Sequence, residues 1–154
     1  MNARFRKQVE GLEGKFQQLR SAKAFRINGL PKNVPISGIY LFSEGKKHLY
    51  VGRSRKIRRR LNYHCSGNCV VATFAFHLAR EGSGFLKATY KKGKGTRKEL
   101  AVNPKFMRAF AKATKRVREM RIRFVEETDP IRQAFLELYA AISLKTKYNK
   151  FATS

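Results

Sequence analysis

Hydrophobic positions near the N-terminus follow a helical pattern. They recur at alternating spacings of four and three: Phe5, Val9, Leu12, Phe16 and Leu19. This pattern predicts one amphipathic helix over about residues 3–20. The next stretch, residues 28–38, holds two prolines and two glycines and is predicted to be irregular. The helix and its linker, residues 1–30, are therefore expected to form an N-terminal arm docked on the rest of the chain.

Three short segments have the pattern of β-strands. Residues 36–43 and 48–52 are rich in Ile, Leu, Tyr, Phe and Val, and the turn between them predicts a β-hairpin. Residues 120–125, MRIRFV, alternate apolar side chains with arginine, which predicts a third strand. The segments together predict an α/β fold with a small three-stranded antiparallel sheet flanked by helices.

Helices are predicted for most of the remaining chain. Ser54 is placed to cap a helix that reaches about His64. Two more helices are expected over residues 70–80 and 104–118, with a loop rich in lysine and glycine over residues 85–98. Asp129 followed by Pro130 is an N-cap with proline at the first helical position, so a last helix is expected to run to about Thr146.

The composition indicates a polyanionic partner. The chain has 35 Lys and Arg against 10 Asp and Glu in 154 residues, a formal net charge of +25. This charge favours nucleic acid first, an anionic membrane surface second and acidic proteins third. The longest nearly apolar runs are shorter than the roughly 20 residues of a membrane span. With no secretory pattern at the N-terminus and only two cysteines, a cytoplasmic protein that does not associate with membranes is expected.

Glu137 is the carboxylate that stands out. In residues 134–144, AFLELYAAISL, only Glu137 and Tyr139 are ionisable, which predicts a partly buried carboxylate. An ionised carboxylate in such surroundings needs a cation, which can be an arginine, a metal ion or both. A structural ion pair is one interpretation and a metal site is the other.

Five separated elements of the chain resemble the GIY-YIG nuclease superfamily. In order they are Gly38–Ile39–Tyr40, Tyr50–Val51–Gly52, Arg60 with His64, Glu137, and Asn149. The second signature is YVG rather than YIG. The resemblance implies that residues 31–154 form a GIY-YIG-like nuclease domain, with a helical insertion at about residues 65–119 that a minimal domain lacks.

The resemblance implies a metal-dependent DNA endonuclease. Glu137 would hold one Mg²⁺, with Mn²⁺ as a substitute, and Arg60 would clamp the scissile phosphate. Tyr40 would activate the attacking water, and its pKa is expected to fall among the surrounding cations. Tyr50 would hydrogen-bond nearby, and His64 would relay or accept a proton.

Supporting roles and alternatives accompany this assignment. Gly38 and Gly52 would permit close backbone approach, and Asn149 would tie down the C-terminal segment. A non-catalytic nucleic-acid-binding protein with the same fold and an RNA-cleaving nuclease stay open, as does the choice between single-stranded and double-stranded DNA. Cys65 and Cys69 suggest zinc only weakly, because no second cysteine pair accompanies them.

Basic residues predicted to contact phosphates fall into three groups. They are Arg53, Lys56, Arg58 and Arg59 near the proposed site; Lys91, Lys92, Lys94, Arg97 and Lys98 on the glycine-bearing loop; and Lys112 and Lys115 on the helix over residues 104–118. The loop is expected to clamp phosphates, with a solvated charge run as the alternative. The helix is expected to follow the nucleic-acid backbone rather than read bases.

Overall fold

A three-stranded antiparallel sheet forms the centre of one part of this computed structural model, which describes residues 1–85 and 96–151. The strands are β1 (Gly38–Glu44), β2 (Lys47–Ser54) and β3 (Arg121–Glu126), in the order β2-β1-β3. A tight turn at Gly45, with φ 58°, joins β1 to β2. The predicted α/β class with a small antiparallel sheet is therefore confirmed.

The chain forms two compact units. The first, called here the sheet unit, comprises Met1–Arg60 and the segment that begins at Met120. The second, called the helical unit, comprises Leu61–Glu119 and covers nearly the stretch predicted as an insertion, residues 65–119.

Two helices replace the single N-terminal helix that the spacing predicted, so that prediction is wrong. Helix α1 (Ala3–Val9) ends where Glu10 becomes extended, and α2 (Leu12–Ser21) begins after Gly11, which has φ 77°. Glycine adopts this left-handed conformation at little cost, so the chain changes direction here. The apolar residues of α2 belong to the core of the sheet unit, so this helix is docked as expected of the N-terminal segment.

Helix α7 (Pro130–Leu144) covers the core of the sheet unit. The Asp129 carboxylate accepts hydrogen bonds from the backbone N–H groups of Ile131 (2.8 Å) and Arg132 (3.0 Å), which confirms the predicted cap. The helix ends at Lys145, which has φ 52°. The buried core comprises Leu12, Phe16, Leu19, Ile39, Leu41, Val51, Val125, Leu136 and Ala140.

The other helices are α3 (Ile57–His64), α4 (Thr73–Ser83), α5 (Arg97–Leu100) and α6 (Pro104–Glu119). The Ser54 hydroxyl accepts from the backbone N–H of Lys56 (2.9 Å) just before α3. Helices α4 and α6 pack against each other through aromatic rings, with 5.1 Å between the ring centroids of Phe76 and Phe106.

Helix α5 lies where the sequence predicted loop. The Thr96 hydroxyl accepts from the backbone N–H of Glu99 (3.2 Å), and this cap explains the short turn of helix. The predicted phosphate contacts Lys91, Lys92 and Lys94 lie outside the described residues. Within residues 1–85 and 96–151, no helix is both long and apolar enough to span a bilayer.

Candidate active site

A cleft of about 390 Å³ opens in the sheet unit. Four of the five residues predicted to be catalytic line it: Tyr40, Tyr50, Arg60 and Glu137. The other lining residues are Arg53, Ser54, Arg55, Pro130 and Gln133. The sheet, the start of α3 and the first half of α7 therefore bring together side chains that are far apart in sequence.

Tyr40 and Gly52 depend on each other. They are directly opposite on β1 and β2, so their side-chain positions share one face of the sheet. A Cβ atom at Gly52 would overlap the hydroxyl and ring of Tyr40. The absence of a side chain at Gly52 therefore makes room for the Tyr40 ring, which is only 1% exposed.

Burial raises the pKa of the Tyr40 phenol well above its ordinary value of 10.0, and the nearby Tyr50 and Glu137 also raise it. The guanidinium of Arg60 donates a hydrogen bond to the phenol and acts in the opposite direction. The prediction that surrounding cations would lower the pKa of Tyr40 is therefore wrong for the protein alone. The physical reason is that the free-energy cost of removing the phenolate from water exceeds the stabilisation that Arg60 gives to its charge.

Glu137 forms an ion pair with Arg53. Arg53 Nε donates to Glu137 Oε2 at 2.9 Å, and the two side chains are 47% and 25% exposed, respectively. Burial raises the pKa of Glu137, while the charge and hydrogen bond of Arg53 lower it. The prediction of a partly buried carboxylate that meets a cation is confirmed.

Oxygen atoms of the cleft fit a hydrated Mg²⁺ ion. Arg53 donates to Glu137 Oε2, and tyrosine and serine hydroxyls lie along the same cleft. Mg²⁺ keeps several waters and commonly uses one or two carboxylates together with substrate phosphates, so a single carboxylate such as that of Glu137 is compatible with this ion.

Among the described residues, no group of three or more His, Cys, Asp or Glu side chains is placed to hold a metal ion. Cys65 and Cys69 are buried free thiols, and burial raises the pKa of Cys65 to about 11. Burial therefore favours the neutral thiol of Cys65 over the thiolate form that binds zinc.

Asn149 ties the C-terminal segment to β2. Its side-chain oxygen accepts from the backbone N–H of Val51 (2.8 Å), and its side-chain nitrogen donates to the carbonyl of Val51 (2.7 Å). Thr146 Oγ1 also donates to the side-chain oxygen of Asn149 (2.8 Å). The side chain thereby holds the end of the chain against the strand that carries Tyr50.

Gly38 permits a close approach between β1 and β3. Its φ of 151° disfavours other residues, and a Cβ atom there would overlap the carbonyl of Val125 and lie 2.9 Å from the backbone nitrogen of Glu127. Substitution of Gly38 would therefore disturb the strand pair that supports Tyr40.

His64 is not among the described residues that line the cleft. It is fully buried in the helical unit, where its Nδ1 accepts from the backbone N–H of Phe74 (3.4 Å). The structure thus gives His64 a buried packing position within its own unit.

Besides Arg53, two more of the predicted phosphate-binding arginines bond within the protein. Arg58 donates to the carbonyl of Pro31, and Arg97 donates to the carbonyl of Val70 (2.7 Å) while its guanidinium lies 4.6 Å from the ring centroid of Phe76. Other predicted contacts have exposed side chains: Lys56, Arg59, Lys98, Lys112 and Lys115.

Gln133 was not singled out from the sequence, although it lines the cleft. Its Nε2 donates to the carbonyl of Glu127 (2.6 Å), which holds the buried side chain one turn before Glu137. The spacing of four residues from Glu137 on a predicted helix is a signal that could have indicated it. The pairing of Arg53 with Glu137 was likewise not predicted.

Comparison of the chain with protein-family models, curated proteins and solved structures gives no match. A functional assignment therefore depends on the side chains in the cleft and on the charge of the molecule.

Proposed function

We propose that this chain is a metal-dependent DNA endonuclease of the GIY-YIG type. The observation that carries the proposal is the convergence of Tyr40, Tyr50, Arg60 and Glu137 in one cleft. These residues come from four different elements, β1, β2, α3 and α7. A chance match of sequence spacings would not require the four side chains to meet.

Glu137 would hold the Mg²⁺ ion, for which Mn²⁺ could substitute. When bound, the ion would compensate charge on the scissile phosphate and on the departing oxygen. Arg53 neutralises this carboxylate in the protein alone. Because about half of the Arg53 side chain is exposed, it can turn from Glu137 towards a phosphate without being left unsolvated.

Arg60 and Tyr40 would act on the phosphate and the attacking water. The planar guanidinium of Arg60 can donate two parallel hydrogen bonds to phosphate oxygens. The Tyr40 oxygen would take the proton of the water as the phenolate, after the phenol has released its own proton to solvent, with Tyr50 as a neighbouring hydrogen-bonding group. Arg60 helps Tyr40 in this task because its hydrogen bond lowers the pKa of the phenol. His64 has no step in this scheme because it is buried in the helical unit.

DNA is the proposed substrate, and the cytoplasm is the proposed compartment. Three arginines, Arg53, Arg55 and Arg60, line the cleft beside one carboxylate, so its charge favours a polyanion. An RNA substrate presents the same phosphates, and competition between deoxy and 2′-hydroxyl substrates would distinguish the two.

A second candidate is a nucleic-acid-binding protein of the same fold that cleaves nothing. The Arg53–Glu137 ion pair is the observation that favours it, because the carboxylate is neutralised without a metal ion. The two candidates differ in what Glu137 does.

Replacement of Glu137 by Gln tests the proposed function. We expect Glu137→Gln to abolish cleavage of labelled single-stranded, duplex and branched DNA in Mg²⁺. Its affinity for DNA should be equal to or higher than that of the wild type, because one negative charge is removed beside the phosphate. Cleavage is followed on gels, with EDTA to remove the metal, and affinity is followed by fluorescence anisotropy.

The matched control is Glu126→Gln, which removes the same charge from an exposed position outside the cleft. Thermal unfolding should show that Glu137→Gln remains folded, because Arg53 is exposed enough to be hydrated without its partner. Retained turnover in Glu137→Gln would rule out its role as the metal ligand. Absence of cleavage by the wild type on every substrate would favour the non-catalytic candidate.

A further inference from the structure

A second basic concavity lies within the helical unit. It is a groove of about 340 Å³ between α4 and α6. Helix α4 provides Leu78, Gly82 and Ser83, and α6 provides the remaining lining residues: Lys105, Arg108, Ala109, Lys112, Ala113 and Arg116. No carboxylate is found among these lining residues, so one wall is a continuous row of cations.

The row follows from the amphipathic pattern of α6. The buried residues Phe106, Phe110, Ala113 and Val117 anchor one face of this helix against its unit. The four cations of the row recur at spacings of three, four and four, so they share a neighbouring face. Eleven residues of helix span about 16 Å, which sets the length of the row.

The length of the row limits how many phosphates of a nucleic-acid strand it can contact. Successive phosphates of one strand follow a backbone that winds around the helix axis, so a straight row of about 16 Å contacts only a few of them. The row therefore fits a short stretch of phosphate backbone in charge and in length.

The remaining lining residues indicate what the groove does not read. Among the described residues that line it, there is no Asn or Gln to pair with base edges and no aromatic ring on which a base could stack. It is also concave and has no large exposed apolar side chain that would insert into a lipid surface. These features favour a nucleic-acid backbone over single-stranded bases and over a membrane.

We propose that the groove between α4 and α6 is a separate binding site for the sugar-phosphate backbone of nucleic acid. It would hold the substrate through a part of the chain that does not supply the cleft residues. The inference rests on the proposed function only in taking nucleic acid as the polyanion, since binding to the groove requires no cleavage.

Two lysines of α6 provide a matched test. Lys112 lines the groove, whereas Lys115 is exposed on the same helix outside it. In EDTA, where no cleavage occurs, Lys112→Gln should weaken duplex binding for all sequences and reduce the slope of log K against log salt by about 0.9. Lys115→Gln should leave the slope nearly unchanged. The binding constants of both variants and of the wild type are obtained by anisotropy titrations of the full chain at several salt concentrations.

Two alanines of the same helix provide a second test that reverses the sign of the charge. Ala109 lines the groove, and Ala111 is exposed outside it. Ala109→Glu should weaken duplex binding more than Ala111→Glu, because the new carboxylate would face the phosphates. Circular dichroism establishes that both variants retain their helices.

Equal losses for Lys112→Gln and Lys115→Gln would overturn the proposal in favour of diffuse surface charge. The proposal would also be overturned if Lys112→Gln lost binding to phosphatidylserine vesicles while its binding to DNA stayed intact. If the wild type cleaves nothing but the lysine variants still differ in DNA binding, the proposed nuclease fails while the groove stands.

Discussion

Tyr40 combines a proposed chemical task with a buried position, and the two oppose each other. Burial protects the ring and orients the hydroxyl towards Arg60, but it also raises the pKa of the phenol. At any pH below 10, the phenolate that would accept a proton is therefore the minor form. Base catalysis by this residue must consequently depend on pH.

Cleavage by the wild type should accelerate as the pH rises. If the Tyr40 phenolate is the base, the single-turnover rate should increase about tenfold for each pH unit between about 7 and 9, without a plateau. Tyr40→Phe keeps the ring that packs opposite Gly52 and removes the hydroxyl, so its rate should collapse at every pH while DNA affinity holds. The measurement is rapid-quench cleavage at saturating DNA over this pH range. A rate in Tyr40→Phe close to that of the wild type would remove Tyr40 from the mechanism.

At the scale of an element, α3 directs three consecutive arginines to different surroundings. Successive residues of an α-helix point about 100° apart, so neighbours cannot share one partner. Arg58 bonds to the carbonyl of Pro31, Arg59 is exposed, and Arg60 lines the cleft. The three arginines of the RRR sequence therefore have different surroundings and do not form one uniform basic patch.

Arg60→Ala should lower kcat at saturating DNA by about a hundredfold or more, as expected for a lost donor to a developing oxyanion. It should also raise the pKa of Tyr40 further, because the hydrogen bond from Arg60 lowers that pKa. Arg59→Ala is the matched control and should cause only a modest loss of affinity that salt suppresses. Equal effects of the two substitutions on kcat would reduce Arg60 to a contributor of general charge.

The elements predicted correctly were those with strong local signals. Asp129 specifies the start of α7 by capping backbone N–H groups, and Pro130 suits the first helical position because it has no N–H. The hairpin follows from strand composition around a short turn. The break at Gly11 was missed because apolar spacing continues across it, whereas the conformation of one glycine decides where a helix ends.

The candidate site shows a similar division. The resemblance to GIY-YIG nucleases indicated four of the residues that line the cleft, but burial depends on the whole fold. The direction of the Tyr40 pKa therefore could not be predicted from the number of cations nearby in sequence. For the same reason, the sequence did not reveal that His64 is enclosed in the helical unit or that Arg53 neutralises Glu137.

At the scale of the molecule, the excess of positive charge extends over both units. Leu61–Glu119 contains thirteen Lys and Arg against three Asp and Glu in the sequence, and the rest of the chain is also strongly basic. Such a charge keeps molecules of this protein apart at low salt and draws them to polyanions. At high salt this repulsion is screened, and local surface features then decide whether two molecules associate.

The side chain of Asn149 has a consequence for solubility. Strand β2 is at an edge of the sheet, and edge strands with open N–H and C=O groups are templates for pairing with another chain. The amide of Asn149 imitates a peptide group, since it accepts from the N–H of Val51 and donates to its carbonyl. The backbone N–H of Tyr148 also donates to the carbonyl of Leu49 (3.1 Å).

Asn149→Ala should therefore cost about 1–3 kcal/mol of stability and permit aggregation through the edge of β2 at high salt. Static light scattering at increasing salt measures this, with Asn28→Ala, at an exposed site outside the sheet, as the control. If Asn149→Ala stays monodisperse under these conditions, the positive charge alone prevents pairing through the edge of β2. Otherwise, one amide side chain acts as a strand cap that prevents the sheet from growing into an intermolecular one.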